Sequence, residues 1–500
     1  MIINILNQHT FLYSTKFKGK ASMKNKRKNH MPLLSLSILL IISSQLYAQR
    51  IAAGGRHSLA ICHDSTVQAW GYNGFGQLGN GNINEQHSGT PVVGLNGITQ
   101  VSGGLFHSLF VKSDGTVWSC GRNSPGNLGN GTNTNSNIPV QVLVLTNITQ
   151  SAGGGEHSLF LKSDSTVWAC GNNSSGQLGD GTNINKSTPI QISGLSGIIQ
   201  ITAGAEFSLF LKNNGTVWAC GHNGYGQFGN GTNTSNKVPV LISGLSNIVQ
   251  LSAGEWHSLF VNSSGSVFSS GRNQYGQLGN GTTINNNTAS LVTTLSGITL
   301  AEAGGIHSVF LKNDGTVWSC GLNSGGNNDG QLGDGTTVDR HTPVQVISAW
   351  GSGSIVRVEA TREHSLFLKS DGILWAAGRN NYGQLGTGAF TNSNSLTPEL
   401  SGAVCNSIPT TLDPISINKG EIQIFPNPSS GVFYLKSDKA ISRLEVINIL
   451  GETVFSFLNT AQIDFIEINL SDKSNGIFFI RITDFNNRFM TQKISLQQTR

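Results

Sequence analysis

One pattern of about fifty residues is repeated seven times along this 500-residue chain. A glycine marks the same place in every unit, at intervals of 50 residues with a last interval of 57. These glycines are Gly71, Gly121, Gly171, Gly221, Gly271, Gly321 and Gly378. Repetition at this period is typical of arrays in which each unit buries its apolar face against its neighbours. The repeat therefore constrains the fold more than any single motif does.

Each unit predicts four short β-strands. Stretches such as "HSLFLK", "TVWSCG" and "PVQV" have the lengths and compositions of strands. Asp114-Gly115 and Asn214-Gly215 lie between two such stretches and accept the positive φ of a tight hairpin. Charged residues are only 11% of the chain and glycine supplies 63 positions, which disfavours a helical protein. The sequence predicts an all-β chain with a seven-bladed β-propeller over residues 49–405.

The sequence motifs of the repeat resemble those of a known family. "AGxxHSLxL", "DGxVWxxG" and "GxNxxGQLGxG" are similar to the regulator-of-chromosome-condensation repeat, and the resemblance covers residues 50–400. It implies a seven-bladed propeller whose relatives differ in function. Some act as guanine nucleotide exchange factors on a small GTPase, and a secreted bacterial member inhibits β-lactamase by protein–protein contact. Fold alone therefore does not choose a function.

The stretch that most resembles a catalytic site is predicted to have a structural role. Glu156, His157 and Ser158 stand together with Cys170 nearby, as in a hydrolase. Adjacent strand residues point to opposite faces, however, so His157 and Ser158 cannot form a nucleophile–base pair. The His-Ser pair also recurs, and the fourth unit carries Phe207 instead. We expect packing and a hydrogen bond to the neighbouring blade from His57, His107, His157, His257, His307 and His364, and we predict no catalytic residues.

Four cysteines share one repeat position and are predicted to be buried free thiols: Cys120, Cys170, Cys220 and Cys320. No Cys-x-x-Cys or His/Cys ligand spacing is present, so no metal site is predicted. The loops hold too few carboxylates for calcium. Their glycines lack the strand–helix context of a dinucleotide site, so no cofactor is predicted.

The other two cysteines predict a disulfide that holds the ring closed, here called the clasp. Cys62 lies in the first unit and Cys405 lies just past the seventh. These units are neighbours in a closed ring, and an oxidising compartment would allow a disulfide between them. Chain-entropy arithmetic gives an upper limit of about 5–6 kcal/mol for so long a loop.

Three sites vary most between the units. They are the two residues before the His, the residue after the "WxCG" glycine, and the residue before "GQLG". All lie in equivalent loops, so all are expected on one face of the disc. Aromatic residues and Arg carry much of the energy of protein interfaces. The predicted binding face comprises Phe106, Glu156, Glu206, Tyr225, Glu255, Trp256, Tyr275 and Tyr382.

Residues 1–48 are predicted to be an N-terminal extension and a secretory signal, with translation starting at Met23 and cleavage after Ala48. The apolar run at 33–42 is too short to span about 30 Å of hydrocarbon, so no transmembrane anchor is expected. Without this segment the chain has 24 basic and 26 acidic residues, a net charge of −2. Nucleic-acid binding is therefore not expected.

The sequence pattern of the chain changes after the seventh unit. After a linker at 406–420, residues 421–500 read as a small β-sandwich. The ordered motifs "FPNPSSG", "ILGETV" and "NLSDKSNGIFFIRI" resemble the type A sorting domain of the type IX secretion system. Their marker residues are Pro426, Asn427, Pro428, Gly431, Gly451 and Gly476. The resemblance implies contact with that secretion machinery, and release from or display on the outer membrane of a Gram-negative bacterium.

Together these features predict a monomeric, exported propeller that binds an extracellular protein or glycan. Two alternatives stay open. One is a secreted enzyme inhibitor, and the other is an extracellular polysaccharide hydrolase or lyase. An enzyme of that class needs an asymmetric cluster of carboxylates, which the repeat does not supply. Exchange-factor activity is not expected, because an exported chain meets no cytosolic GTPase.

Overall fold

The computed structural model describes most of the repeat region and the strands of the tail. The described residues are 51–398 without 63, 325–328, 348–353 and 371, and then 422–425, 432–437, 441–448, 453–458, 465–471, 473, 476–484 and 489–496. The predicted start at Met23, the cleavage after Ala48 and the boundaries at 405 and 420 lie outside these residues. The domain boundaries therefore stay predictions.

The described residues form thirty-five strands and no helix. Seven antiparallel four-stranded sheets follow one another along the chain, each with its strands in chain order. The first four blades are β1 (Ile51–Ala53), β2 (His57–Ile61), β3 (Val67–Gly71), β4 (Gln86–Pro91); β5 (Ile98–Gly103), β6 (His107–Lys112), β7 (Val117–Gly121), β8 (Ser136–Gln141); β9 (Ile148–Gly153), β10 (His157–Lys162), β11 (Val167–Gly171), β12 (Lys186–Gln191); β13 (Ile198–Ala203), β14 (Phe207–Lys212), β15 (Val217–Gly221), β16 (Asn236–Ile242).

The remaining blades repeat the arrangement. They are β17 (Ile248–Ala253), β18 (His257–Asn262), β19 (Val267–Gly271), β20 (Asn286–Leu291); β21 (Ile298–Ala303), β22 (His307–Lys312), β23 (Val317–Gly321), β24 (Arg340–Gln345); β25 (Ile355–Ala360), β26 (His364–Lys369), β27 (Leu374–Gly378), β28 (Ser393–Pro398). The first strands contact one another in a closed circle, from β1 and β5 round to β25 and β1. The predicted seven-bladed propeller is confirmed.

Burial follows the position of a strand in its blade. The second strand is buried along nearly its whole length, as at His157–Lys162, where only the final lysine is half-exposed. The fourth strand is largely exposed or half-exposed, as at Ser136–Gln141. This gradient explains the near-continuous apolar run of the second strand, which is covered on both faces, and the polar fourth strand, which forms the rim.

The apolar core is distributed between blades. Seven hydrophobic clusters each join two adjacent blades of the described propeller. The cluster that closes the ring places Ile51 and Trp70 of the first blade against Leu366 and Leu374 of the seventh. Each sheet contains only the strands of its own unit, so side-chain packing closes the ring without strand exchange.

The hairpin turns between second and third strands carry one informative irregularity. Gly115 adopts φ +78° in such a turn, a backbone conformation that costs glycine little. Ser65 and Ser165 hold the equivalent place with φ values of 63° and 65°. Because an L-residue pays for this conformation, these two serines store strain that the glycines avoid.

The tail forms two sheets around its own core. Its strands are β29 (Ile422–Phe425), β30 (Val432–Ser437), β31 (Ile441–Asn448), β32 (Thr453–Leu458), β33 (Phe465–Asn469), β34 (Gly476–Asp484) and β35 (Phe489–Leu496). One sheet has the order β29-β30-β33 and the other β32-β31-β34-β35. Phe433 and Ile468 of the first pack with Leu444 and Ile480 of the second. The predicted small β-sandwich is confirmed. Of the predicted sorting residues, Gly476 begins β34; Pro426, Asn427, Pro428, Gly431 and Gly451 lie outside the described residues.

Candidate binding face

A ring of histidine–serine hydrogen bonds links the blades. In six places a His Nε2 lies 2.8–2.9 Å from the Ser Oγ of the following blade. The pairs are His57–Ser108, His107–Ser158, His157–Ser208, His257–Ser308, His307–Ser365 and His364–Ser58. His157 thus contacts the serine of the next blade and not Ser158 beside it in the chain.

The serine hydroxyls fix which ring nitrogen of these histidines donates, and burial keeps the rings neutral. Each Ser Oγ donates its hydrogen to a backbone carbonyl, as Ser108 does to Gln77 O at 2.7 Å. The serine must then accept from its histidine, so Nε2 carries a proton and is the donor of this hydrogen bond. Burial lowers the pKa of His107 to about 4, and that of His157 and the other four to about 3. Rings this hard to protonate are poor general bases near neutral pH.

Two blades depart from the ring in informative ways. Phe207 replaces histidine in the fourth blade and is fully buried, while Ser258 opposite it still donates to Gln227 O at 2.6 Å. In the seventh blade Thr361 stands where other blades have glycine, and its Oγ1 lies 2.7 Å from His364 Nδ1. The ring position therefore tolerates an apolar ring of similar size, which suits packing and not chemistry.

The repeated cysteines also lie at blade interfaces. Cys120 Sγ lies 3.3 Å from Gln77 O of the preceding blade, and all four thiols of this set are buried and free. Burial raises the pKa of each thiol, so they stay protonated and unreactive. In the first blade Trp70 takes this position and donates its Nε1–H to Gln384 O at 3.0 Å, across the closure of the ring.

Cys62 is disulfide-bonded. Its predicted partner Cys405 lies outside the described residues, so the pairing stays a prediction. Within the described part of the chain, no group of three or more His, Cys, Asp or Glu residues is placed to hold a metal ion. In the same part, no helix is long and apolar enough to cross a membrane.

The variable loops open at one end of the blades. In an antiparallel blade the loop from first to second strand and the loop from third to fourth strand lie at the same end, and Tyr72 N–H joins them by donating to Arg56 O at 2.9 Å. We call these two loops of all seven blades the variable face. Every residue of the predicted binding face lies on it and is half-buried.

Four aromatic rings and two arginines of the seventh, first and second blades form one patch on this face, the Phe106 cluster. Phe75 and Phe106 meet edge to face at 5.2 Å between centroids, and Tyr72 and Tyr382 do so at 5.0 Å. Arg122 lies over Phe75 and Phe106 at 5.6 and 5.9 Å. Arg56 lies 5.2 Å from the Tyr382 centroid. The cluster thus draws on residues more than 300 positions apart.

A second patch, the Trp256 cluster, belongs to the fourth and fifth blades. Trp256 contacts His222 at 5.2 Å and Tyr225 at 5.6 Å between ring centroids. The Arg272 guanidinium lies 5.7 Å from the Tyr225 centroid and 5.8 Å from that of Tyr275. Sequence reasoning selected the tyrosines and Trp256, but it left out Arg272 and His222, although both occupy a variable repeat position.

The acidic residues of the predicted face hold the loops together. Glu156 pairs with Arg122 at 2.6 Å, and Glu206 accepts a hydrogen bond from Ser175 Oγ at 2.8 Å. Glu255 pairs with Arg362 at 3.1 Å, two blades away. Arg362 reaches it across the intervening blade, because Gly305 has no side chain in its path: a Cβ there would lie 3.0 Å from Arg362 Cα.

An asymmetric charged group on the inner strands was not predicted. In four blades a glutamine of the first strand bonds the next blade's backbone; Gln150, for example, pairs with both N–H and C=O of Ile201. In the seventh blade this place holds Arg357, which binds Glu359 at 2.6 Å and Glu302 at 3.3 Å. Burial raises the pKa of both carboxyls. The sequence signal is that both acids occupy one repeat position in adjacent units.

The repeats and the tail each match known protein families. The RCC1-like domain matches residues 138–422, and the regulator of chromosome condensation (RCC1) repeat matches 64–111 and 114–161, and in a second form 49–77 and 98–126. The secretion system C-terminal sorting domain matches residues 423–497. A domain of this kind marks cargo of the type IX secretion system, which confirms the predicted release or surface display.

Solved propellers share the fold. Human WBSCR16 superposes with a TM-score of 0.60 at 22% identity, over 67% of this chain and 93% of that one. Prp20p from Saccharomyces cerevisiae gives a TM-score of 0.57 at 24% identity, over 63% and 81%. In sequence, an X-linked retinitis pigmentosa GTPase regulator homolog of Caenorhabditis elegans is 39% identical over 82 residues, 16% of this chain and 6% of that protein. The chain thus spans only a small part of that relative.

Proposed function

Because the chain belongs to the RCC1-like domain family and ends in a secretion system C-terminal sorting domain, we propose that it is an exported propeller that binds another macromolecule through its variable face. Domains of this family are typically binding or regulatory modules, although RCC1 itself acts as an exchange factor. The observation that carries the proposal is the pair of aromatic–arginine clusters. Both are built at positions where the otherwise uniform repeats diverge.

The chemistry of the clusters supports binding over structure alone. The shared residues, such as His157 and Cys170, are fully buried and keep the blades together. Phe106 and Trp256 are half-buried and lie on the variable face, so they keep surface available to a partner. Interfaces draw most of their energy from a few Trp, Tyr and Arg residues surrounded by a polar rim. The ion pairs of Glu156 and Glu255 supply such a rim and hold the loops in a preformed shape.

The enzyme alternative depends on carboxylates free to act on a substrate. The asymmetric pair, Glu302 and Glu359, is the described group nearest to that requirement. Arg357 binds both, and Ser252 Oγ donates to Glu302 at 2.9 Å, so both oxygens of Glu302 and one oxygen of Glu359 are already engaged. We therefore assign these residues to linking the first strands of adjacent blades, as the glutamines do elsewhere in the ring. We propose a partner-binding role without turnover.

The test is capture of the partner followed by measured affinity. The mature protein is used to capture a partner from the native extracellular medium, and the purified pair is measured by biolayer interferometry. Phe106→Ala and Trp256→Ala are each expected to weaken binding at least tenfold, a loss of about 1.4 kcal/mol or more. Ile199→Ala removes an exposed apolar side chain near the opposite end of the blades and serves as control. Unchanged affinity in both face variants would exclude this face.

A further inference from the structure

We propose that the Trp256 cluster recognises a carboxylate of a partner protein, and that Arg272 is the residue that binds it. The inference rests on the proposed binding function and names one part of the partner's chemistry. It starts from a difference between the two clusters: the arginines of one form ion pairs with acids of the same face, whereas the arginine of the other forms none within the described residues.

Arg272 is the exception among the arginines of the variable face. Arg56 and Arg379 pair with Glu363, Arg122 pairs with Glu156, and Arg362 pairs with Glu255. No carboxylate of the described residues pairs with Arg272. Its Nε and Nη2 instead donate to the neutral amide oxygen of Gln274, at 3.1 and 2.6 Å. A guanidinium with one uncharged partner keeps donors for an incoming anion.

The guanidinium is also held in place before any ligand arrives. Tyr225 and Tyr275 lie against it at nearly equal distances of 5.7 and 5.8 Å, which restricts its rotation. The Tyr275 loop is in turn fixed by its own N–H, which donates to Gln277 Oε1 at 3.1 Å. A preorganised arginine loses less entropy on binding and offers a carboxylate a bidentate fit.

The shape of the cluster favours a protein over an extended acidic glycan. Trp256 meets His222 at 73° and Tyr225 at 64°, and His222 meets Tyr225 at 54°. Rings tilted by these angles form an uneven wall that suits inserted side chains. They provide no continuous flat platform for successive sugar rings. The nearby acid Glu255 pairs with Arg362 at 3.1 Å; it lies close enough to attract Arg272 but forms no ion pair with it.

The experiment uses the mature, full-length secreted protein. A phage-displayed library of random peptides is panned against it, and polygalacturonate is tested in parallel as an acidic glycan. We expect enriched peptides to contain Asp or Glu. A synthetic copy should lose at least tenfold in affinity when the protein carries Arg272→Gln or when the peptide's acid becomes its amide. Lys237→Gln removes one exposed positive charge outside the cluster and should change affinity less than twofold.

Each other outcome overturns the inference. These outcomes are no enrichment, enriched peptides without an acid, acidic peptides that bind Arg272→Gln normally, or Arg272-dependent binding of polygalacturonate alone. The proposed function is tested separately by the captured partner. If Phe106→Ala abolishes partner binding while Arg272→Gln does not, the variable face binds and only the carboxylate site fails. A far-ultraviolet circular dichroism spectrum and thermal unfolding curve confirm that each variant is folded.

Discussion

Acid should unfold this propeller by protonating its ring of histidines. Each of the six rings is neutral when folded, with a pKa of about 3 to 4, whereas an unfolded histidine titrates near 6.5. The unfolded chain therefore binds more protons below that value, and stability falls as the pH drops from about 6.5 towards 4. At about pH 5 the loss is roughly 2 kcal/mol per histidine, at about 1.4 kcal/mol per pH unit. Six such terms give about 12 kcal/mol, comparable with the whole stability of a typical domain.

Two single substitutions isolate this effect from every other titrating group. His157→Phe copies the residue already present at Phe207 and removes one of the six titrations, so the slope of unfolding free energy against pH should fall by about 1.4 kcal/mol per pH unit near pH 5. Phe207→His should raise it by the same amount, because Ser258 stands ready to accept. At neutral pH His157→Phe should cost only about 1 kcal/mol, the net value of one hydrogen bond.

The assay is urea unfolding followed by tryptophan fluorescence between about pH 4.5 and 8. All eight tryptophans precede residue 400, so the signal reports on the repeats and not on the tail. Slopes that are identical in His157→Phe and the parent protein would refute the reasoning, since the histidine would then be charged or exposed in the folded state.

Four further outcomes follow from the structure. Ser165→Gly should stabilise the protein by about 0.5–1 kcal/mol in the same urea assay, because φ is 65° there; a loss of stability would contradict the strain. Intact mass before and after alkylation without reductant should show Cys62 and Cys405 protected, and alkylation of both would exclude the clasp. Deleting residues 421–500 should retain the protein in the periplasm when cell fractions are blotted, and normal secretion would argue against the tail as the export signal. Glu302→Gln should stabilise the protein most at about pH 8, because the folded state keeps a proton that the unfolded carboxyl releases above about 4.3; equal stability there would exclude a raised pKa.

The repeated part of the structure could be predicted because the same sequence pattern occurs seven times. The near-continuous apolar run at 157–162 predicts a strand buried on both faces, and Phe207 among six histidines predicts packing at that position. Equivalent positions in the seven units can be compared without any knowledge of distances. The apolar second strands and the glycines that end the third strands likewise agree in every unit, and such agreement favours one fold.

Contacts between different repeat positions were beyond this kind of reasoning. Tyr72 and Tyr382 meet only because the seventh blade closes on the first. Arg362 reaches Glu255 because the intervening blade has a glycine at its loop. Glu302 lies in a short, mainly apolar strand, and its sequence pattern predicts only packing between blades. Its partner Arg357 occupies the repeat position of the glutamines that hydrogen-bond the next blade, and the sequence alone did not reveal that role. Such pairs depend on how the loops curve over the ring.

The central claim is that the shared residues build the ring and the divergent ones bind. Affinity for the captured partner, measured side by side for Trp256→Ala and His157→Phe, tests it most directly. We predict that Trp256→Ala loses at least tenfold in affinity with an unchanged unfolding midpoint at neutral pH, while His157→Phe binds normally and unfolds at lower urea. The reverse pattern, with binding lost in His157→Phe and retained in Trp256→Ala, would contradict the account.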